Sequence, residues 1–491
     1  MKEIIVIGAG LGGLSAAIRL AVSGFDVTIL EKNKNVGGKV NLVETNGYRF
    51  DTGASLLTMR HVLEDLFSFC GKRIEDYLTI VPLDPICRYF WSDGNRFDAS
   101  SDLRKTETEI EKIEPRDVEN FRNYLADSRR KFEIAEKTFL AHSLNDLPKL
   151  LRPKYLKDLL AISSLKTLDA HNMGFFQSKK LRQLFNRFAT YNGSSPYQTP
   201  ATFALVPFVE FGLGAWYVRG GMYEIPRALE KLAKELGVKI YTESTVEKIV
   251  VENKKAVGVR VGGETFACDA VVTNADAIET YRSLIDTPHR KNFSDEKLKR
   301  IEPSCSGFVL LLGAKKKFPL LAHHNIFFSD DYKAEFDALF KDLRPAANPT
   351  IYVCATTQTD ETQAPANHEN LFVLVNAPYT SDCTDWTREA KPYRDLIIGK
   401  LENFGLEDLE SSIEFEQTIT PEDFERKYAA NRGSIYGVSS NGIFSAFVRP
   451  PNKARTVENL YFVGGATHPG GGMPLVLLSG KLAAEMIKKG K

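Results

Sequence analysis

Residues 3–13, EIIVIGAGLGG, carry the pattern that decides the fold. Residues 3–7 form a short apolar run that predicts a β-strand, and the Ala-rich residues 14–23 predict a helix just after the glycines. In this GxGxxG arrangement Gly8 permits a tight turn, Gly10 lets the backbone approach a pyrophosphate, and Gly13 lets helix and strand pack closely. The helix N-terminus would stabilise the phosphate charge. The stretch predicts a Rossmann-type dinucleotide site.

An acidic residue ends the second predicted strand. Residues 27–30 favour a strand, and Glu31 follows them, close to the roughly 20-residue offset at which a carboxylate binds ribose hydroxyls. The negative charge of Glu31 disfavours a 2′-phosphate on that ribose. These features predict an unphosphorylated dinucleotide, and they fit FAD and NAD equally.

A second glycine-rich segment near the C-terminus favours FAD. Residues 460–474, LYFVGGATHPGGGMP, predict a buried strand and a glycine-rich turn, and a helix is predicted over 478–488. Gly37-Gly38-Lys39 and the FDTGA of residues 50–54 follow the first site. Two glycine-rich turns about 450 residues apart suit a long ligand that is held at both ends. The amides of the second turn could reach the ribityl chain and pyrimidine edge of a flavin.

Composition excludes several classes of protein. The chain has 491 residues, enough for two or three lobes with a site between them. Its net charge of +1 gives no polyelectrolyte character, so nucleic acid is not an expected partner. The six cysteines form no CxxC pair and are expected to be reduced, as in the cytoplasm. With no signal peptide expected and no long uncharged apolar run, membrane contact is expected to be peripheral.

The order of predicted elements indicates an α/β fold with a discontinuous Rossmann-like FAD-binding domain. Three segments are assigned to that domain, a helical membrane- or substrate-facing region is inserted, and a mixed-sheet substrate lobe completes the chain. The expected boundaries are 1–106, 228–290 and 455–491 for the flavin domain, 107–227 for the helical region and 291–454 for the substrate lobe.

Across essentially its whole length the sequence resembles the bacterial-type phytoene desaturases, carotenoid desaturases that share the amine-oxidase FAD fold. The motifs that carry the resemblance are GAGLGGLSAA (8–17), EKN with VGGK (31–39), FDTGASLLTM (50–59), YVRGGMY (217–223) and THPGGGMP (467–474). The family implies noncovalent FAD and dehydrogenation of an isoprenoid chain without direct use of NAD. Lys39 departs from it, since related flavoproteins usually have arginine there.

The fingerprint and the resemblance together imply a set of FAD-binding residues at both ends of the chain. They are Gly8, Gly10, Leu11, Gly12, Gly13, Glu31, Lys32, Gly38, Lys39, Ser55, Leu56, Val246, Gly465, Ala466, Met473 and Pro474.

The resemblance also bears on the reaction. Residues 78–94, LTIVPLDPICRYFWSDG, look most like the hydroxycarotenoid 3,4-desaturases, which implies a new C–C double bond at an acyclic or monocyclic carotenoid end. HHNIFFSDDY (323–332) fits phytoene and diapophytoene desaturases and terminal-methyl oxidases of the same family as well. The final electron acceptor, a quinone or oxygen, is left open. Outside this family, a flavin amine or porphyrinogen oxidase and a non-enzymatic prenyl-binding escort protein are the alternatives.

No acid–base or metal constellation stands out, as expected if the flavin performs the redox step. His323 and His324 would point to opposite faces of a strand, so no metal is expected. His468 lies in the second glycine turn, where a structural hydrogen bond is the preferred interpretation. A group of aromatic residues suits either an apolar tunnel or core packing: Phe203, Phe208, Phe211, Trp216 and Tyr217.

A basic, apolar-interleaved stretch over 148–182 suggests contact with a membrane surface. Lys149, Arg152, Lys154 and Lys157 would meet anionic headgroups while apolar side chains dip among acyl tails. A merely solvated helix face is the alternative. We expect a cytoplasmic protein that associates peripherally with the inner face of the cell membrane.

Overall fold

The computed structural model describes residues 2–146, 162, 165–290, 293–442 and 449–490. Short strands alternate with helices along the chain, as expected for an α/β protein. In chain order the strands are β1 (Glu3–Ile7), β2 (Asp26–Leu30), β3 (Leu42–Thr45), β4 (Tyr48–Asp51), β5 (Ile80–Pro82), β6 (Cys87–Phe90), β7 (Arg96–Ala99), β8 (Trp216–Val218), β9 (Lys239–Tyr241), β10 (Val246–Glu252), β11 (Lys255–Val261), β12 (Glu264–Ala267), β13 (Ala270–Thr273), β14 (Ser306–Ala314), β15 (His324–Phe327), β16 (Ile351–Cys354), β17 (Glu369–Ala377), β18 (Ile413–Ile419) and β19 (Leu460–Phe462).

The helices cover the sheets and fill the region between them. They are α1 (Leu11–Val22), α2 (Arg60–Phe69), α3 (Leu103–Ile113), α4 (Asp117–Ala135), α5 (Leu168–Phe175), α6 (Lys179–Asn186), α7 (Val206–Phe211), α8 (Glu224–Glu235), α9 (Ala277–Glu279), α10 (Asp295–Lys299), α11 (Tyr332–Asp337), α12 (Trp386–Asn403), α13 (Leu409–Ser412), α14 (Pro421–Tyr428) and α15 (Met473–Lys489).

A parallel five-stranded sheet unites the three segments that were assigned to the flavin domain. Its strand order is β19-β13-β1-β2-β9, and every neighbouring pair is parallel. The first segment supplies β1 and β2, the middle segment β9 and β13, and the last segment β19. The antiparallel sheet of β10, β11 and β12 packs against this sheet through β11 and β13, and α15 packs against β19 and α1. The predicted discontinuous α/β fold is therefore confirmed.

Both helices that follow glycine turns begin earlier than predicted. Helix α1 begins at Leu11 because Gly10 is the extended N-cap residue and the next two glycines already lie inside the helix. A Cβ at Gly13 would lie 2.2 Å from the Gly8 carbonyl oxygen, so only glycine allows this close packing. Helix α15 begins at Met473, since Pro474 is tolerated in a first helical turn.

A seven-stranded mixed sheet forms the second lobe, in the order β18-β14-β17-β16-β15-β6-β7. The apolar runs predicted as an antiparallel sheet are β14, β16 and β17, and they pair antiparallel. The expected boundary at residue 106 is wrong for β6 and β7: β6 pairs in parallel with β15, which places both strands in the second lobe. The pairing partner of β6 lies far away in the sequence, so nothing local shows that these two strands join the second lobe.

The described residues between 107 and 227 are largely helical, as predicted, and they pack between the two lobes. Phe121 and Tyr124 of α4 pack with Phe185 of α6 and Phe211 of α7 in one buried aromatic cluster. This cluster continues into the second lobe through Tyr89 of β6. Among the residues that the structure describes, no helix combines the length and the apolar composition needed to cross a membrane.

Candidate active site

The glycine turn between β1 and α1 encloses the side chain of Asn274. A Cβ at Gly10 would lie 2.3 Å from the Asn274 amide nitrogen, and a Cβ at Gly12 or Gly464 would lie 2.6 or 2.8 Å from its amide oxygen. Asn274 therefore also requires the absence of a side chain at Gly10, in addition to the predicted approach of a pyrophosphate. Asn274 directly follows β13 and belongs to no recognised motif, so sequence analysis missed it.

The same turn offers donors that fit a pyrophosphate. No side chain caps the N-terminus of α1, and the first amides of a helix, here Leu11 to Gly13, have no partner within it. A Cβ at Gly38 would lie 3.2 Å from the Cα of Gly10, so the Gly37-Gly38 turn lies directly against the turn between β1 and α1. Uncapped amides and a surface without side chains suit an anionic ligand.

Glu31 is buried at the carboxyl end of β2, as predicted. One of its oxygens accepts the Ala9 amide at 2.7 Å, and the other accepts the Asn33 amide at 2.8 Å. A carboxylate has further lone pairs, so the fixed group can still accept ribose hydroxyls. Lys32 is exposed next to it, and Val246 is buried at the start of β10.

The ammonium group of Lys39 binds two backbone carbonyl groups of a distant segment. Its Nζ donates to the carbonyl oxygens of Ser434 and Ile435 at 2.9 and 3.0 Å. Burial lowers the pKa of Lys39 to about 8, although the nearby Asp276 carboxylate partly offsets this effect. An ammonium group has three N–H donors, so one is still available, and the FAD contact of Lys39 stays a prediction.

Asp51 explains why the FDTGA and YVRGGMY motifs occur together. Its carboxylate accepts the amides of Met222 and Tyr223 at 2.8 and 3.0 Å, at the N-terminus of α8. A Cβ at Gly221 would lie 3.1 Å from both carboxylate oxygens. Burial raises the pKa of Asp51 to about 6, against the effect of these amide hydrogen bonds. The two motifs thus form one structural unit beside the cavity described next.

A cavity of about 370 Å³ lies where the two lobes and the helical region meet. Four residues that were predicted to bind FAD line it: Ser55, Leu56, Met473 and Pro474. The first pair follows the FDTGA motif and the second pair begins α15, so residues more than 400 positions apart meet at one wall. Apolar residues form much of the remaining wall, among them Phe132, Leu140, Phe203, Leu205, Val206, Val209 and Ile326.

Arg449 places an unneutralised positive charge at the second glycine turn. Its Nη1 donates to the Gly465 carbonyl at 3.0 Å and to the Tyr436 carbonyl at 3.3 Å, and no carboxylate is among its described partners. Burial lowers the pKa of Arg449 to about 10, so the side chain stays charged at neutral pH. Gly465 and Ala466 lie in this turn, directly after β19. Such a cation can stabilise a ligand that gains negative charge.

His323 and His324 do not point to opposite faces. His323 lies just before β15, and the two ring centroids are 4.5 Å apart. Potential ligand atoms of both rings and of Cys354 lie within 4.8 Å of one another. The geometric reason given against metal binding is therefore wrong, while the expectation that the protein holds no metal stays a prediction.

His468 has a structural role in the described part of the chain. Its Nε2 lies 3.0 Å from the Phe139 carbonyl and 2.9 Å from the His142 carbonyl, so it joins the second glycine turn to the end of the α4 region. Burial lowers the pKa of His468 to about 4. These contacts agree with the interpretation of His468 as a structural hydrogen-bonding residue.

The five aromatic residues that were considered for a tunnel lie in different places. Phe203 lines the cavity, whereas four residues pack in the hydrophobic core: Phe208, Phe211, Trp216 and Tyr217. The tunnel interpretation is thus limited to Phe203.

The four basic residues between Lys149 and Lys157 lie outside the described residues, so their proposed membrane contact stays a prediction.

Comparisons with known proteins agree with this geometry. The family model described as flavin containing amine oxidoreductase matches residues 11–488. A 4,4'-diapolycopene oxygenase from Methylomonas sp is 40% identical over 99% of this chain and 98% of its own length. A 1-hydroxycarotenoid 3,4-desaturase from Flavobacterium sp. (strain P99-3) is 39% identical over 99% of both chains. A 4,4'-diaponeurosporene oxygenase from Staphylococcus aureus (strain USA300) is 39% identical over 99% of this chain and 98% of its own.

Solved structures share the fold at low identity. A putrescine oxidase variant has a TM-score of 0.66 at 13% identity, covering 100% of this chain and 99% of its own. An oxidoreductase from Methanosarcina mazei has a TM-score of 0.62 at 19% identity, covering 98% of this chain and 100% of its own.

The chain belongs to the flavin containing amine oxidoreductase family, and within that family to the carotenoid desaturases. It is an FAD-dependent oxidoreductase, as the paired glycine turns and the resemblance predicted. The uncapped α1 amides, the glycine surfaces and the buried Glu31 carboxylate described above fit this cofactor chemically.

Proposed function

We propose that the enzyme desaturates the end of an acyclic or monocyclic carotenoid, with 3,4-desaturation as the specific reaction in carotenoid biosynthesis. The observation that carries this proposal is the largely apolar cavity, whose wall joins the Ser55 and Met473 segments to aliphatic and aromatic side chains. Relatives of about 40% identity that are named for carotenoids support the substrate class.

The protein's part in the reaction is to hold an apolar chain and keep water away. When bound, FAD would supply the oxidant for this reaction, as the acceptor of hydride from a C–H bond of the substrate. Apolar residues such as Phe132 and Ile326 form much of the wall, so this part of the cavity can hold one C–H bond away from water. The adjoining polyene spreads the positive charge that remains on the carbon.

Completion of the double bond requires the loss of a proton, and His324 is the acceptor that we propose. Its Nδ1 lies 2.8 Å from the Tyr352 hydroxyl, which lies 2.6 Å from the Ser55 hydroxyl, and all three residues line the cavity. Burial holds the pKa of His324 well below its usual value, so the ring is neutral. A carbon cation beside a polyene makes the neighbouring C–H strongly acidic, and a weak base is sufficient.

A second candidate reaction is oxidation of a terminal methyl group. Two of the three named relatives are oxygenases, and they support this candidate as well as the desaturase supports the first. A phytoene- or diapophytoene-type desaturation of the same family is the third possibility. All three need the same apolar cavity, so product analysis must separate them.

The proposal includes contact with a membrane, where carotenoids dissolve. Leu165 and Met173 are apolar yet 81% and 54% exposed, and both lie within the basic stretch over 148–182. Exposed apolar residues near clustered lysines are typical of interfacial segments. We propose a cytoplasmic protein bound peripherally to the inner face of the membrane, with a quinone or oxygen as the acceptor of the flavin's electrons.

Expression in cells that accumulate one defined carotenoid tests the reaction. The proposal predicts a pigment that has lost two hydrogen atoms at its end group and absorbs further to the red. Gain of oxygen at a terminal methyl would favour the second candidate. Unchanged pigment with every hydroxylated, acyclic and monocyclic carotenoid, despite flavin-loaded protein, would contradict the proposal.

A further inference from the structure

A buried ion pair interrupts the apolar wall of the cavity. Arg187 begins a short 3₁₀ helix and Glu210 lies in α7, and the arginine Nη2 is 3.1 Å from each carboxylate oxygen. The side chains are only 10% and 2% exposed. Both residues line the cavity, so the pair faces the space in which the substrate would lie.

Two tyrosines complete the polar cluster. The Tyr89 hydroxyl accepts from Arg187 Nη2 at 2.7 Å, and the Tyr191 hydroxyl donates to Glu210. The guanidinium group also lies over the rings of Tyr89, Phe188 and Tyr191, at 4.5 to 5.5 Å from their centroids. Its Nε is buried and has no hydrogen-bond partner among the described residues. The cluster therefore keeps an unused donor.

An ion pair in this place is costly unless it serves a ligand. Removing both charges from water is expensive, and apolar residues of similar volume often stabilise a protein at least as well. The cavity wall that contains this pair also contains apolar residues such as Leu205, Val206 and Val209. Packing alone therefore gives no reason for an arginine and a glutamate here.

We propose that Arg187, Tyr191 and Glu210 form a binding site for an oxygen atom at the end of the substrate chain. The guanidinium N–H groups can donate to a hydroxyl or carbonyl oxygen, and the carboxylate can accept from a hydroxyl. This inference rests on the proposed function, because it assumes a long apolar substrate in the cavity. It narrows the substrate class to chains that already carry a hydroxyl or carbonyl group.

The site predicts a preference between matched substrates. Three carotenoids with the same polyene length and a terminal methyl, hydroxyl or aldehyde group are offered in liposomes to the FAD-loaded protein, and anaerobic flavin reduction is followed. The oxygen-bearing chains should saturate at concentrations about tenfold or more below the methyl chain, since a buried donor would otherwise lose its partner.

Paired replacement tests the residues without leaving one buried charge alone. The double variant Arg187→Met with Glu210→Leu should fold, because both charges are removed together. In this variant the saturating concentrations for the oxygen-bearing chains and the methyl chain should differ by no more than about twofold. Tyr191→Phe should reduce the difference between these concentrations. A matched control is Arg88→Met with Asp98→Leu, a partly buried pair between β6 and β7 that does not line the described cavity. This control should keep the preference.

The outcomes separate the two proposals. Oxidation of carotenoids by the parent protein without any preference for oxygen-bearing chains would overturn the inference and leave the proposed function intact. An undiminished preference in the double variant would also overturn it. Failure of all carotenoids to reduce the flavin of the parent protein would instead refute the proposed function, and the inference with it.

Discussion

Arg449 shows how one residue can set the chemistry of the site. It is a buried cation that hydrogen-bonds the second glycine turn through the Gly465 carbonyl, without a carboxylate among its described partners. A fixed positive charge near a flavin favours its reduced form, which carries more negative charge. We therefore interpret Arg449 as a residue that tunes the reduction potential.

Replacing Arg449 by Gln should lower the reduction potential of the bound flavin by roughly 30 mV or more, equivalent to about 1.4 kcal/mol for two electrons. Arg449→Lys keeps the charge and should shift the potential less. Anaerobic titration against a reference dye measures both variants. An unchanged potential in a flavin-loaded Gln variant would show that this charge does not act on the cofactor.

Sequence analysis finds those site residues whose neighbours are local. The glycines and Glu31 belong to one strand–turn–helix unit, so spacing alone places them. Asn274 and the Arg187–Glu210 pair cannot be found in this way, because their partners come from other elements and their own sequence context is ordinary. The contacts of the Lys39 side chain could not be predicted from its local sequence either, since its ammonium group binds carbonyl groups almost 400 residues away.

At the level of elements, the crossing of α1 and α15 holds the two ends of the chain together. A Cβ at Gly480 would lie 2.7 Å from the Gly12 carbonyl oxygen and 2.7 Å from the Ser15 Cβ. The helices therefore approach more closely than any other residue allows. Since the FAD-binding turns precede these two helices, their separation would disturb both turns.

The variant Gly480→Ala should destabilise the protein by about 1–3 kcal/mol and weaken FAD retention, because the new methyl group forces the helices apart. Gly399→Ala is the matched control: Gly399 lies inside α12 with nothing within 4 Å of its would-be Cβ. That change should stabilise the helix by up to about 1 kcal/mol. Thermal melts and flavin absorbance after gel filtration compare them, and equal behaviour of the two variants would contradict the close crossing.

His468 joins the second glycine turn to the segment after α4, and its titration should make the stability of the protein depend on pH. Its folded-state pKa of about 4 lies below the usual value, so between these values the unfolded chain binds more protons than the folded one. Stability should therefore fall as pH falls below about 6.5, by up to about 1.4 kcal/mol per pH unit from this residue. His468→Gln keeps a donor for the Phe139 carbonyl but cannot titrate.

Melting temperatures of the parent and His468→Gln at pH 7 and pH 5 test this effect. The parent should lose more stability than the variant at the lower pH. A constant difference between the two proteins at both pH values would show that His468 does not titrate on unfolding in this range.

Element prediction failed where pairing is non-local. The predicted boundary at residue 106 placed β6 and β7 in the flavin domain, yet their membership of the second lobe depends on hydrogen bonds between β6 and β15, more than 220 residues later. Helix starts were predicted too late because the glycines and Pro474 look like turn residues. Tertiary packing places them inside helices all the same.

On the scale of the whole molecule, three chain segments build the flavin domain and a cavity opens between it and the second lobe. Described residues of the helical region, among them Phe132 and Arg187, line this cavity, and the basic stretch over 148–182 belongs to the same region of the sequence. An apolar substrate that dissolves in a bilayer could then pass from the membrane to the site.

Replacing Lys149, Arg152, Lys154 and Lys157 by Gln should weaken binding to anionic liposomes strongly, at about 1 kcal/mol per basic residue, and salt should reduce the difference. A control with the same charge change replaces the exposed Lys254, Lys297, Lys299 and Lys488 by Gln. Sedimentation with liposomes at low salt measures all three proteins. Equal loss of binding in both variants would attribute the effect to net charge alone.

The most direct test of the account is anaerobic stopped-flow mixing of the FAD-loaded protein with a hydroxylated or monocyclic carotenoid in liposomes. If the enzyme desaturates carotenoids, the absorption band of the oxidised flavin should bleach while the carotenoid absorption moves to the red. Deuterium at the reacting C–H bond should slow the bleaching. A flavin that stays oxidised with every carotenoid and bleaches with amines would contradict it.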